Sequence, residues 1–110
     1  MSHFVVPNHI VVGKGVLNEV APLLKEMGRK AFIVTGRHIA VSDMMKKLTA
    51  LLDEEGIGYV IFNGITGEPD DVMINNGVKM LKESDCDFII GIGGGSPLDS
   101  AKAIAAMAVN

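Results

Sequence analysis

Residues 91–102 read GIGGGSPLDSAK, and four glycines fall within the five positions 91–95. The stretch is preceded by the apolar run DFIIGI, residues 87–92, and followed by the apolar segment AKAIAAMAV. A strand therefore runs into a glycine loop and then into a helix. Proline suits the first helical position, because the N–H it lacks has no intrahelical partner there. On that reading Pro97 opens the helix, Ser96 is its N-cap and Asp99 stands at the third position in a Ser-x-x-Asp capping arrangement. The first-turn N–H groups of a helix lack partners and its dipole is positive at that end. Glycines immediately before it remove the side chains that would keep a ligand from the main chain. The combination points to a phosphate or nucleotide site, with Ser96 as a further donor. A tight turn alone needs one or two glycines, not four. The loop lacks the Gly-Lys-Ser/Thr of a Walker A motif, and Ser96 takes the last position of a Gly-x-Gly-x-x-Gly pattern.

Working outward, two more apolar runs precede the first: AFIVT at 31–35 and YVIF at 59–62. They are continuous rather than alternating, as expected for parallel strands buried on both faces. Ala31 to Tyr59 is 28 residues, and Tyr59 to Asp87 is 28 again. Each interval accommodates one crossover helix, so the pattern predicts a βαβαβ arrangement and an α/β fold. Ser42 is placed to cap a helix running to about Glu55, with Met45, Leu48 and Leu52 inward and Gly56 after its end. Pro69 and Asp70 open a helix to about Glu83, with Ile74, Val78 and Leu81 inward and Gly77 as a weak point. An earlier helix spans about Leu17 to Met27, and Pro22 inside it should kink it or remove a hydrogen bond. Short strand pieces, FVV and HIVV, precede it, broken by Pro7 and Asn8. The methionines, among them Met44, Met45, Met73, Met80 and Met107, read as core filler.

The chain has 110 residues, of which 48% are hydrophobic and 21% charged, and its mean hydropathy is +0.35. That composition supports one domain with one modest core. Net charge is −3, and the ten Lys and Arg are scattered with no basic run beyond two residues, as at Lys46-Lys47. A nucleic-acid partner is not expected. The single cysteine, Cys86, forms no internal disulfide and fits a reducing compartment; before a buried strand it reads as a core residue rather than a nucleophile. The N-terminus lacks the basic and apolar regions of a signal peptide, and no apolar run reaches a membrane span. A cytoplasmic location without membrane contact is the expectation. His3, His9 and His38 have no metal-ligand spacing, so no metal ligand is assigned.

GGGSPLDSAKAIA preceded by DFIIGI resembles the signature of the iron-containing (group III) alcohol dehydrogenase family. Weaker features fall in family order: Gly13-Lys14-Gly15 after an extended segment, Val34-Thr35 ending a strand, and Glu68-Pro69-Asp70 after the next. The resemblance implies a Rossmann-like parallel sheet with flanking helices, here as a partial dinucleotide-binding domain over residues 1–110. Family members are several times longer, and their metal site, an aspartate and three histidines, lies in a C-terminal helical domain that nothing here matches. The chain is accordingly expected to be a fragment or truncated product, inactive alone.

Carried onto this sequence, the resemblance implies that Gly94, Gly95 and Ser96 bind the cofactor pyrophosphate. Gly93 supplies the turn, and Pro97 stands beside it. Asp99 either lies near the cofactor or merely serves the helix end, and an i,i+3 pair with Lys102 is expected. Where many members carry an aspartate after the Val-Thr pair, this chain has Gly36, followed by Arg37 and His38. The missing repulsive charge and the guanidinium favour NADP over NAD around Thr35, Gly36 and Arg37. Pro69 keeps its loop position on the adenine side, although Glu68 departs from the family asparagine. The implied whole enzyme transfers hydride between NAD(P) and a small alcohol/aldehyde pair, with Fe²⁺ or another divalent metal held elsewhere; homo-oligomerisation is left open. Enzymes of the glycerol dehydrogenase or dehydroquinate synthase type usually have lysine in place of Ser96 and lack Pro97. A stand-alone nucleotide-binding module is the remaining alternative.

Overall fold

The computed structural model describes residues 8–12 and 17–108. The run at 31–35 forms the heart of strand β2 (Lys30–Gly36), with residues 31–35 fully buried. β2 pairs on one side with β3 (Gly58–Ile65) and on the other with β4 (Phe88–Ile92), and β1 (Asn8–Val12) pairs with β4. All pairs are parallel and the order is β1-β4-β2-β3. Ala31 lies level with both Tyr59 and Phe88. The near-equal sequence intervals thus reflect strands in near-common register, linked by crossovers of similar length.

Helix α1 (Leu17–Met27) precedes β2, and the one-turn helix α2 (Arg37–Ala40) and α3 (Asp43–Glu54) lie between β2 and β3. Helix α4 (Asp71–Glu83) links β3 to β4, and α5 (Gly95–Ala108) follows β4. Leu17, Leu24, Met45, Leu48 and Leu52 from α1 and α3 pack with Ala31, Ile33, Phe88 and Ile90 on one face of the sheet. Ile74 and Leu81 from α4, with Ala101, Ile104 and Ala105 from α5, pack with Phe32, Val34 and Ile89 on the other. Strand side chains alternate between faces, so helices on both sides make every position of a central strand apolar. The result is a three-layer α/β/α, Rossmann-like arrangement.

Local signals act where expected. Ser42 Oγ accepts from Met45 N–H at 3.3 Å and Asp70 Oδ1 from Met73 N–H at 2.8 Å, capping α3 and α4. α1 continues through exposed Pro22 at the loss of one helix bond. Three expectations are corrected. β3 is an edge strand, so Tyr59, Val60, Ile61 and Phe62 are only half-buried. Gly77 is buried where α4 meets α5, and a Cβ there would overlap the Ile104 side chain, so it permits helix contact rather than simply weakening α4. Met107 is 41% exposed instead of filling the core. Gly13-Lys14-Gly15 and the FVV piece lie outside the described residues.

Candidate functional site

β4 ends at Ile92, and Gly93, at φ +126°, turns the chain in a conformation that side chains rarely adopt. α5 then begins at Gly95, and Leu98 N–H donates to Gly94 O at 3.3 Å. Gly94 is therefore the capping residue, two positions before the predicted Ser96. The physical reason is that proline is tolerated throughout the first turn, where no N–H is needed, and Pro97 occupies its third position. Ser96 lies inside the turn, and its carbonyl accepts Ser100 Oγ at 2.7 Å. Among the described residues no bond from Ser96 or Asp99 caps the helix, and no Asp99–Lys102 pair forms. Asp99 is exposed. Gly94, Gly95 and Ser96 are left with N–H groups that have no acceptor within the helix.

The glycines of this stretch serve separate ends. At Gly91 a Cβ would sit 2.8 Å from Ala101 Cβ, so its absence lets α5 lie close on β4. At Gly93 a Cβ would approach Ile39 Cγ1 at 3.3 Å and Pro97 Cγ at 3.4 Å. At Gly94 and Gly95 a Cβ would meet nothing within 4 Å, and neither has a positive φ. Among the described residues, neither conformation nor packing demands glycine there. Among the described residues, these two exposed residues form an open, side-chain-free approach to N–H donors that lack an acceptor within the helix.

The strands beside this loop part company at their carboxyl ends. β2 continues into α2 and α3 on one face, while β4 continues into α5 on the other. Such a switch point leaves a crevice beyond the strand ends. Buried Thr35 ties the two strands at that level, donating from Oγ1 to Ile92 O at 2.9 Å. Beyond it opens a cleft of about 420 Å³. Gly36, Arg37, His38 and Ile39 line it from the end of β2 and from α2. Ile65, Thr66 and Gly67 line it from the end of β3, and Pro97 from α5. Among the described residues its ionisable lining residues are Arg37 and His38, and no carboxylate is among them.

Of the residues expected from sequence, Gly36, Arg37 and Pro97 meet at this cleft, Thr35 lies beneath it and Gly93 touches its rim through Ile39 and Pro97. Gly94, Gly95 and Ser96 are carried on the adjoining helix start. Pro69 is not part of the lining: it precedes the Asp70 cap, and Thr66 and Gly67 take the place expected of it. His38, Ile39, Ile65 and Thr66 were missed. Only Gly67, in a turn with φ +65°, carried a sequence signal.

Cys86 lies before β4, at the end of the sheet away from the cleft. It is buried against Ala31 O (3.5 Å) and Ser84 Oγ (3.2 Å). Burial pushes its thiol pKa up, against a smaller lowering by the Ser84 contact, which suits a core residue. Among the described residues no three His, Cys, Asp or Glu side chains are grouped to hold a metal ion. The described residues therefore do not fit an iron centre. His3, and the side chain of His9, lie outside the description. Among the described residues no helix is long and apolar enough to cross a membrane.

Known proteins share both sequence and fold with this chain. The family profile of iron-containing alcohol dehydrogenases matches residues 7–110. An NAD-dependent methanol dehydrogenase of Bacillus methanolicus is 35% identical over 100% of the chain, which covers 29% of that enzyme. Alcohol dehydrogenase 4 of Schizosaccharomyces pombe is 37% identical over 100% of the chain and is covered to 26%. A solved iron-containing alcohol dehydrogenase from Thermotoga maritima superposes with a TM-score of 0.77 at 31% identity, over 96% of this chain and 30% of that one. The chain thus spans less than a third of the length of these relatives. By sequence along almost its whole length, and by fold, it belongs to the iron-containing alcohol dehydrogenase family.

Proposed function

We propose that residues 1–110 form the dinucleotide-binding part of an alcohol dehydrogenase that interconverts a small alcohol and its aldehyde or ketone. The observation that carries this reading is the pair Gly94 and Gly95, for which nothing among the described residues requires glycine by packing or conformation, at the first-turn N–H groups of α5 that have no acceptor within the helix. Those N–H groups, with that of Ser96, donate to the pyrophosphate, and the positive helix end favours its charge. When bound, the nicotinamide supplies or accepts the hydride. The chain's own residues bind and orient it: Thr35 holds the ends of β2 and β4 together, and Pro97 closes the cleft beside the loop. Because the described residues do not fit a metal ion, no step at iron is assigned to them.

Within the same reading, NADP is preferred over NAD. Among the described residues no carboxylate that would hold a ribose diol and repel a 2′-phosphate lines the cleft, and Arg37 borders it. The lone buried thiol of Cys86 supports a reducing, cytoplasmic setting. Calorimetric titration of the chain with NADP⁺ and with NAD⁺ tests the proposal. Arg37→Ala is expected to weaken NADP⁺ about tenfold, the scale of one charge-assisted hydrogen bond, and to leave NAD⁺ unchanged. Equal loss for both cofactors would place Arg37 outside the discrimination, and no binding of either would defeat the reading.

A further inference from the structure

Among the described residues, the cleft beyond β2 and β3 takes its two ionisable groups, Arg37 and His38, from the one turn of α2. A guanidinium is charged at every working pH, whereas an imidazole gains its proton between about pH 5 and 8. The remaining lining is apolar or uncharged: Ile39, Ile65 and Pro97, with Gly36, Thr66 and Gly67. Acidic groups nearby are engaged or lie outside the lining. Asp43, at the start of α3, pairs with Lys46 at 3.9 Å, and Asp70 caps α4. Glu68 and Asp99 are exposed and do not line the cleft. Lys47 is exposed on α3, and Lys30 and Tyr59 sit at the amino-terminal ends of β2 and β3, away from α2. An anion entering the cleft thus meets lining from a fixed cation and from a titratable group at the next residue of the same turn.

We infer that His38 is a second specificity residue. Its protonated imidazole joins Arg37 in binding a phosphate monoester on the ribose of an adenine nucleotide, so preference for the phosphorylated ligand rises as pH falls through the imidazole range. The inference rests on the reading of this cleft as the adenosine end of the cofactor site. The sign follows from charge: a protonated imidazole attracts the phosphate and a neutral one does not, so the added affinity is lost as pH rises. The phosphate itself gains a proton near pH ~6 and loses charge, which limits the effect from below.

The test is titration of the 110-residue chain with adenosine 2′,5′-bisphosphate and with 5′-AMP between about pH 6 and 8.5, a window set by those two ionisations. His38→Gln and His38→Lys are measured alongside. The wild-type affinity ratio, bisphosphate over AMP, is expected to rise about three- to fivefold on going from the top of that window to about pH 6.5, as for an exposed ion pair. His38→Gln should hold the low ratio and His38→Lys the high one, both flat over that span. Binding of both nucleotides with the same pH profile in wild type and His38→Gln overturns the inference and leaves the cofactor reading standing. Binding of neither nucleotide to the wild type overturns both.

Discussion

Exchange of Gly95 for aspartate places a side chain in the first turn of α5, where a Cβ meets no atom of the described residues within 4 Å and the backbone is already helical. Loss of glycine's unfolded-state freedom contributes about 0.4–1 kcal/mol in favour of the folded chain. A carboxylate at the positive end of the helix adds about 0.3–1 kcal/mol. Taken together, a gain of about 1 kcal/mol corresponds to a melting temperature about 4 °C higher for a chain of this size. Binding moves the other way. A carboxylate some ~4 Å from a phosphate charge costs between about 1 and 4 kcal/mol, according to the effective dielectric, and the side chain also occupies the approach to the N–H groups. Dinucleotide affinity is therefore expected to fall at least about fivefold. Thermal denaturation followed by circular dichroism and calorimetric titration with NADP⁺ read the two effects separately. Gly77→Ala provides the opposite control: its new methyl group overlaps the fully buried Ile104 side chain. Overpacking of about 1–3 kcal/mol outweighs the gain in helix propensity, so that variant melts lower. If Gly95→Asp also melts lower, glycine is needed there for the turn itself; if it still binds NADP⁺ normally, the phosphates lie elsewhere. Either result refutes the reasoning.

Two further predictions concern stability. Thr35→Val leaves the buried Ile92 carbonyl without its donor and should cost about 1–3 kcal/mol in urea denaturation, with Thr35→Ser recovering part of it. Burial raises the pKa of the Cys86 thiol, so the folded chain holds it protonated and it should resist iodoacetamide until unfolding, while stability declines as pH rises past about 8.5, where the unfolded thiol ionises. Rapid alkylation of the native chain at neutral pH would contradict the buried placement.

Features written into consecutive residues were legible before the structure. The runs at 31–35 and 87–92 became central strands because apolar side chains on both faces are what helices on both sides require. Ser42 and Asp70 cap their helices because the capping bond spans three residues and needs nothing distant. The start of α5 misled for the same reason. Ser96, Pro97 and Asp99 satisfy a local capping pattern, yet the helix gains bonds by starting earlier, and proline does not oppose that. What pairs across the sheet was hidden. Asp87 reads as the first residue of a strand, but its carboxylate accepts N–H bonds from Arg29 and Lys30 at 2.9 and 3.0 Å. Gly28 is small because that carboxylate fills the space a Cβ would take.

The cleft was half legible for the same physical reason. Gly36 and Arg37 follow a recognisable strand, whereas Ile65 and Thr66 reach the site only because β3 lies beside β2, an adjacency that sequence order does not specify. His38 needed the one-turn helix α2, too short for any periodicity to reveal. The glycines show most directly what the structure adds. Composition counts 13 of them as alike. The fold separates Gly93, held by its backbone angle, and Gly77 and Gly91, held by neighbours, from Gly94 and Gly95, which nothing among the described residues constrains. A pair free of such constraint, at a helix end whose first N–H groups lack helical partners, is explained by what approaches the loop.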